Sequence, residues 1–395
     1  MKKLSIRDLD LEGKRVFIRV DFNVPLNKDG GIQNDTRIRL SLPTIQYALS
    51  RGAKVILASH LGRPGGKTNL RMSLRPVSIA IKSAIECPVK MAESCIGSEV
   101  VSQSRLMKRG EVLLLENLRF HPGEEANEIG FAQQLANLCD LYVNDAFGTA
   151  HRAHASTTGI IPFVGQGAVG FLMEKELLNL GYAITNPKRP YVAILGGSKI
   201  SGKIEIIENL IELVDVILIG GGMAYTFLKA KGLEVGRSLV ESDKITFARN
   251  LLKKSGEQGT LMVLPVDHLV VENLKPGARN RSTLVEKTPE EWIGVDIGPS
   301  TCKNFEQKIS SAKTIFWNGP LGIFEIVDFS QGTLNIAKAV SESQAMTIVG
   351  GGDSIAALSK AGVTEKISHI STGGGASLEF LSGKKLPGLD ALSSK

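Results

Sequence analysis

The sequence predicts an α/β protein of two domains, each built around a parallel sheet. Short β-type runs alternate with helix-like stretches, the pattern of strands joined by crossover helices. The runs end in loops loaded with polar residues or glycine, and ligands of such sheets bind outside the carboxyl ends of the strands. The 395 residues suffice for two cores of ordinary size, and composition changes across residues 170–187.

In the first half, four runs lead into polar loops. Val16–Val20 precedes Asp21-Phe-Asn-Val-Pro25, and Lys54–Ala58 precedes Ser59-His-Leu-Gly-Arg-Pro64. Val112–Leu115 precedes Glu116-Asn-Leu-Arg-Phe-His121, and Leu141–Val143 precedes the segment Asn144–His154. Helix-like stretches such as Ser41–Arg51 and Glu128–Ala136 lie between them. The loops bring Arg63, Arg119 and Arg152 with His60 and His121 to one sheet edge, which predicts an anion site. Asp21 and Asn23 also suit plain turn capping. His151 and His154 lack the acidic or thiol partners that would complete a metal site.

Residues 170–187 read as one helix, apolar around most of its circumference and stopped by Gly181 or by Asn186-Pro187. So little polar face predicts cover from both sides, as for a pivot between domains. Just before it, Gly165-Gln-Gly-Ala-Val-Gly170 matches G-x-G-x-x-G, but residues 183–190 hold no Asp or Glu for a ribose. A dinucleotide-dependent dehydrogenase is therefore the weaker reading, and the stretch is expected to act as a hinge.

In the second half, five runs meet glycine. Tyr191–Leu195 meets Gly196-Gly-Ser-Lys-Ile-Ser-Gly-Lys203, and Val214–Ile219 meets Gly220-Gly-Gly-Met223. Thr314–Trp317 meets Asn318-Gly-Pro-Leu-Gly-Ile-Phe-Glu325, Thr347–Val349 meets Gly350-Gly-Gly-Asp-Ser354, and Ile367–Ile370 meets Ser371–Ala376. Glycines between a strand and a helix bare N–H groups and the positive end of the helix dipole, a means of holding phosphates. Gly197–Lys203 nearly completes a P-loop, yet Ile204 stands where Ser or Thr would meet magnesium, which argues against a Walker-type NTPase. Lys199 and Lys203, at i and i+4, are expected to share a helix face and one phosphate chain.

The charge totals fit this division. Residues 1–170 hold 13 Arg, 9 Lys and 16 acidic residues, against 5 Arg, 20 Lys and 24 acidic residues in 171–395. Glycine leans the other way, 16 against 26, so the halves look built for different anions. The sequence pI of about 9.1 comes without a basic run and with only 5% aromatic residues, a poor match to a nucleic-acid binder. No apolar run reaches membrane-spanning length, and the N-terminus carries no stretch suited to a signal peptide. Cys87, Cys95, Cys139 and Cys302 show no metal spacing, so reduced thiols in the cytoplasm are expected.

Long motifs now align in order. Arg19-Val-Asp-Phe-Asn-Val-Pro25, Ser59–Pro64, Glu116–His121, Asn144–His154, Gly170-Phe-Leu-Met-Glu-Lys-Glu-Leu177, Trp317-Asn-Gly-Pro320, Gly350–Asp353 and Ser371-Thr-Gly-Gly-Gly375 all resemble the phosphoglycerate kinase family, over essentially the full chain. The resemblance implies two doubly wound, Rossmann-like domains facing a cleft and joined by a hinge helix. It divides the chain into a substrate domain at 1–169, the helix and hinge at 170–187, a nucleotide domain at 188–375, and a tail at 376–395 that returns to the first domain. It implies a transferase of glycolysis and gluconeogenesis that moves a phosphoryl group reversibly from 1,3-bisphosphoglycerate to ADP, giving 3-phosphoglycerate and ATP, with Mg2+. It further implies a cytoplasmic monomer with small-molecule substrates and neither nucleic acid nor membrane as partner.

Carried over by motif, 3-phosphoglycerate falls to Asp21, Phe22, Asn23, Arg37, His60, Leu61, Gly62, Arg63, Arg119 and Arg152. The nucleotide falls to Gly197, Lys199, Lys203, Gly221, Gly294, Asn318, Pro320, Glu325, Gly351, Gly352, Asp353 and Ser354. Within that set Glu325 takes the ribose, Asp353 the magnesium and Ser354 a phosphate contact. Arg37, Lys199 and Lys203 take the catalytic role of neutralising the moving group, since phosphoryl transfer asks mainly for positioning and charge stabilisation. Ser198 and Gly202 depart from the Ala and Asp usual in the family, and residues 286–296 drift from its usual wording.

Overall fold

A computed structural model describes residues 2–395. The chain forms two compact units: one runs through Leu178 and takes in Lys385–Lys395, the other is Asn179–Lys384.

The first unit holds six parallel strands: β1 (Arg15–Val20), β2 (Lys54–Ala58), β3 (Val89–Met91), β4 (Val112–Leu114), β5 (Leu141–Asp145) and β6 (Gly167–Val169). Their order is β3-β4-β2-β1-β5-β6, so the chain turns from one side of β1 to the other between β4 and β5. Crevices at such switch points are the usual ligand sites of open α/β sheets. Val16, Ile18 and Val20 share one core with Val55 and Leu57 and with Ile38, Ile45, Val77 and Ile81 of the covering helices. Phe17 points the other way and stacks on Tyr142 at 5.9 Å between ring centroids. Burial on both faces is why these strands read as continuous apolar runs rather than alternating ones. Each fully buried Val, Ile or Leu contributes about 1.5–3 kcal/mol.

In the second unit, β7 (Tyr191–Leu195), β8 (Val216–Ile219), β9 (Leu261–Val263), β13 (Thr314–Asn318), β14 (Met346–Gly350) and β15 (His369–Ser371) form a parallel sheet ordered β15-β14-β13-β7-β8-β9. The chain passes from one side of β7 to the other between β9 and β13, which puts the switch point between the neighbouring strands β7 and β13. Its core joins Ile194, Ile315 and Trp317 to Phe305, Ile309, Ile336 and Val340 from the covering helices. Between β9 and β13 the chain makes a separate antiparallel sheet of β10 (Asp267–Val271), β11 (Asn280–Leu284) and β12 (Ile293–Ile297). Sequence patterning does not foresee it, because Asn280-Arg-Ser-Thr-Leu284 is polar and mostly exposed.

Three expectations need correction. Gly165–Gly170 is no hinge: Gly165 ends a short helix with φ 81°, and Gly167–Val169 becomes strand β6 beside β5. The helix Phe171–Thr185 forms and contains the boundary between the units, but it is covered along one stripe only. Met173, Glu176, Leu180 and Ala183 are buried while Leu178 is 74% exposed. The segment that joins the first unit starts at Lys385, since the helix Gly375–Leu381 stays with the second. There Leu386, Leu389 and Leu392 are buried, and Leu4 N–H donates to Ser393 O at 2.9 Å.

Candidate active site

In the first unit, the loops after β1, β2, β4 and β5 bring together most of the expected anion-binding side chains. Arg37 stands in the first turn of the helix Thr36–Ser50, where no acidic residue competes for it. Its Nη1 donates to both Asp21 carboxylate oxygens, at 3.0 and 2.9 Å, and to Asn23 O at 3.1 Å. That fixes the guanidinium by one nitrogen and leaves Nη2 and Nε for a ligand. Asn23 Oδ1 accepts from Gly62 N–H at 2.9 Å, tying the first loop to the second. Phe22 and Leu61 are buried, and Phe22 N–H donates to Ser59 Oγ at 2.8 Å, so both residues hold the loops through backbone and packing. Gly62 sits at φ 64°, a left-handed conformation costly for other residues.

Arg119 is 3% exposed and donates from Nη1 to Gly62 O at 2.8 Å. Its Nε lies 3.1 Å from Glu125 Oε1 as an ion pair but without an aligned hydrogen bond, which leaves a buried donor available. Arg152 is half-buried and donates from Nε to His151 Nε2 at 3.2 Å. Arg63 is exposed and stands apart from this network.

His60 is buried, and its pKa lies well below the ordinary histidine value. Burial is the main cause, followed by the charges of Arg19, Arg119, Arg37 and Arg152. His154 is pulled down to about 4 by burial and by Arg119, Arg19 and Arg152. Both rings are therefore neutral beside four arginines, Arg19, Arg37, Arg119 and Arg152, whose charge Asp21, Glu124 and Glu125 offset only in part, a setting that favours an added anion. His121, expected at the same edge, is half-buried with Nε2 3.4 Å from Ser94 Oγ. Among the described residues no group of three or more His, Cys, Asp or Glu side chains is placed to hold a metal ion.

Sequence reasoning passed over four supports of this site. Arg19, 1% exposed on β1, donates from Nε to Ser156 Oγ at 2.9 Å and has Nη2 3.3 Å from His60 Nδ1. Ser156 Oγ in turn donates to the fully buried Glu124 at 2.6 Å. Asn117 bridges the second and third loops, donating to Leu61 O at 2.7 Å and to Met72 O at 2.9 Å. The available signal was the arginine inside an otherwise apolar strand, since charge is rarely buried without a partner. Glu124 carried no signal, because its partner lies 32 residues away.

In the second unit, the loops after β7 and β13 meet at the switch point. Gly197 N–H donates to Pro320 O at 2.8 Å, and Gly196 N–H to Asn318 O at 3.0 Å. A side chain at Gly196 would overlap the Pro320 carbonyl, which is the physical reason for glycine there. These loops line a cavity of about 460 Å³. Of the expected nucleotide residues, Gly197, Gly221, Gly294, Pro320, Glu325 and Asp353 line it. Its far wall comes from β12, with Gly294 against Tyr225, whose hydroxyl lies 3.1 Å from His268 Nδ1. Asp296 also lines the cavity and is raised to about 7, by burial against the hydrogen bonds it accepts from Gly332, Ile297 and Thr333. Tyr225, His268 and Asp296 were not anticipated, since they belong to the unforeseen sheet and its neighbours.

The remaining nucleotide residues sit beside the cavity. Lys203 is half-buried and donates from Nζ to Asn318 Oδ1, while Asn318 donates to Gly350 O at 3.0 Å. Burial lowers the Lys203 pKa to about 8, and Asp353 opposes the shift. Ser354 is fully buried and accepts from Gly319 N–H at 2.6 Å, so its hydroxyl clamps the loop. Gly351, at φ 92°, starts the helix Gly352–Ala361 and sets Asp353 in its exposed first turn.

The two lysines do not share a helix face. The helix begins at Ile204 with Lys203 as its N-cap, and residues 197–203 form an irregular loop that ends in a turn at 201–203. Glu241 holds that turn by accepting from Ile200 N–H at 2.6 Å and Ser201 N–H at 3.1 Å. Lys199 is left exposed.

A family model described as phosphoglycerate kinase matches residues 6–384. The phosphoglycerate kinase of Solibacter usitatus is 61% identical over 396 residues, covering 99% of this chain and 100% of that protein. The enzyme of the same name from Acidobacterium capsulatum is 55% identical over 406 residues, with full coverage of both. Among solved structures, the phosphoglycerate kinase of Coxiella burnetii superposes with a TM-score of 0.89 at 42% identity, over 98% of each chain. With a family model spanning nearly all of it and such relatives along its full length, this chain belongs to the phosphoglycerate kinase family.

Proposed function

We infer that this chain moves a phosphoryl group reversibly from 1,3-bisphosphoglycerate to ADP, yielding 3-phosphoglycerate and ATP. The observation that carries the reading is the convergence of Arg37, Arg119 and Arg152 on a pocket whose histidines are neutral. In this reading the pocket takes the carboxylate and phosphate of 3-phosphoglycerate, with Asp21 and Asn23 orienting Arg37 toward the transferred group. Arg63, exposed at the edge, joins once substrate is bound.

The glycine-lined cavity takes the nucleotide, with Glu325 at its rim for the ribose. Lys203 and Lys199 meet the phosphates, Lys203 from a position held by Asn318 and Lys199 from an exposed one. Charge placed where negative charge develops is the main catalytic resource of such a site. Magnesium fits as the counter-ion of the nucleotide. Asp353 offers one exposed carboxylate at a helix start, and Mg2+ commonly combines one or two carboxylates with substrate phosphates and waters. Bound there, it would neutralise phosphate charge.

The helix Phe171–Thr185 contains the boundary between the units, and in this reading it is the element that flexes as the two ligands are brought together. No helix is long and apolar enough to cross a membrane. Four free cysteines support a reducing compartment such as the cytoplasm, and a monomer acting on small molecules alone completes the proposal.

The test is a coupled assay with 3-phosphoglycerate and MgATP, in which a dehydrogenase consumes NADH as 1,3-bisphosphoglycerate forms. NADH loss that needs both substrates and magnesium supports the reading. A folded protein without that activity would refute it.

A further inference from the structure

The buried chain behind the anion pocket has only one consistent arrangement of protons. Glu124 is fully buried and accepts from Ser156 twice, from N–H at 3.0 Å and from Oγ–H at 2.6 Å. With its hydrogen committed to Glu124, Ser156 Oγ can only accept, and Arg19 Nε–H donates to it at 2.9 Å. Arg19 Nη1 donates to Val20 O, so the guanidinium plane is held at two points. Its Nη2 then meets His60 Nδ1 at 3.3 Å. A guanidinium has five donors and no acceptor, so Nδ1 must be the bare, accepting nitrogen. A proton there would set donor against donor in a buried place.

The opposite nitrogen of the ring, Nε2, has no protein partner and is not among the sealed, unpaired polar atoms. The charged groups around the ring are Arg19 from β1, Arg37 from the first helix, Arg119 from the loop after β4 and Arg152 from the loop after β5. Glu124 supplies the buried counter-charge to Arg19, and its Oε1 also lies 3.8 Å from His154 Nδ1.

We propose that the chain Glu124–Ser156–Arg19 positions His60 in the tautomer with its proton on Nε2, so that the ring offers one hydrogen-bond donor to the anion held by the arginines. Glu124 and Ser156 are positioning residues: they act on the ligand through Arg19 and His60. The proposal rests on the reading of this pocket as the 3-phosphoglycerate site.

The tautomer is read directly, without turnover, from long-range nitrogen–proton correlation spectra of the histidine-labelled protein, with His60 assigned by a His60→Gln variant. An unprotonated Nδ1 and a protonated Nε2 across the neutral range support the proposal. A protonated Nδ1, or two nitrogens averaged by exchange, overturns it. In Glu124→Gln and Ser156→Ala the ring should lose its fixed tautomer. KM for 3-phosphoglycerate should rise roughly tenfold, the worth of one hydrogen bond to a charged group, while KM for MgATP holds. Ser156→Thr, which keeps the hydroxyl, should restore both. Folded variants with unchanged tautomer and unchanged KM overturn it as well. If neither variant folds, the wild-type spectrum decides. A fixed tautomer whose Nε2–H signal ignores added 3-phosphoglycerate refutes the donor role, whereas absence of wild-type turnover strikes the assigned reaction instead.

Discussion

Arg37 and Lys203 are held in different ways, and their variants should fail differently. Arg37 is anchored by a single nitrogen to Asp21, and its side chain is 34% exposed. Arg37→Ala is therefore expected to keep the fold by circular dichroism and to lose turnover by about a hundredfold or more, as when a donor to developing charge is removed. Near-normal turnover in that variant would count against its catalytic place. Lys203 has a pKa of about 8, lowered by burial. Below that pH it is charged, and as pH rises through it the free enzyme loses a phosphate-neutralising charge. The pH profile of kcat/KM for MgATP should thus bend down above about 8, while the kcat limb moves higher because bound phosphates restore the proton. Stability has the opposite sign. The unfolded lysine, at 10.5, binds more protons than the folded one, so this group makes stability rise with pH from about 8 to 10.5. A flat kcat/KM profile across that range would remove Lys203 from phosphate neutralisation.

The loop after β7 combines positions where a side chain cannot fit with positions where it can. Gly196 faces the Pro320 carbonyl with no room for a Cβ, and the obstacle is backbone that cannot rotate away. Gly202, in the same loop, has nothing within 4 Å of an added Cβ. Gly196→Ala is expected to push the β7 and β13 loops apart, lower stability by about 3 kcal/mol or more, and abolish nucleotide binding by calorimetry. Gly202→Asp should change stability by less than about 0.5 kcal/mol, as is usual for a surface change. If Gly196→Ala melts and binds like the parent, the close packing of these loops does not hold in solution.

Across the whole molecule, the chain passes between the two units twice, within the helix Phe171–Thr185 and again near Lys384. The last eleven residues belong to the first unit. Ser393 N–H donates to Gly167 O at 2.9 Å, Gly388 N–H to Ala150 O at 2.8 Å, and three leucines are buried there. Deleting residues 385–395 should cost the first unit on the order of 5 kcal/mol in leucine burial alone. Urea unfolding followed by probes in each unit should then show the first unit melting earlier and the second unchanged. A single transition shifted as one would mean that the units unfold together.

By itself the sequence determined the α/β class, the four polar loops, the glycine junctions and the family. Each of these depends on local signals, namely apolar runs buried on both faces and glycine or polar residues where the chain turns. Only the tertiary structure decided the rest. The alternation that predicts strands does not reach a polar edge strand such as Asn280–Leu284, so the far wall of the cavity stayed hidden. Spacing placed Lys199 and Lys203 on one face, yet the helix starts at Ile204, because Glu241, some 40 residues on, draws the backbone N–H groups of Ile200 and Ser201 into a turn. The strand arginine Arg19 was visible, but its partners Ser156 and His60 lie 137 and 41 residues away. Long-range pairing of buried polar groups has no local pattern, and here it sets the geometry of the site.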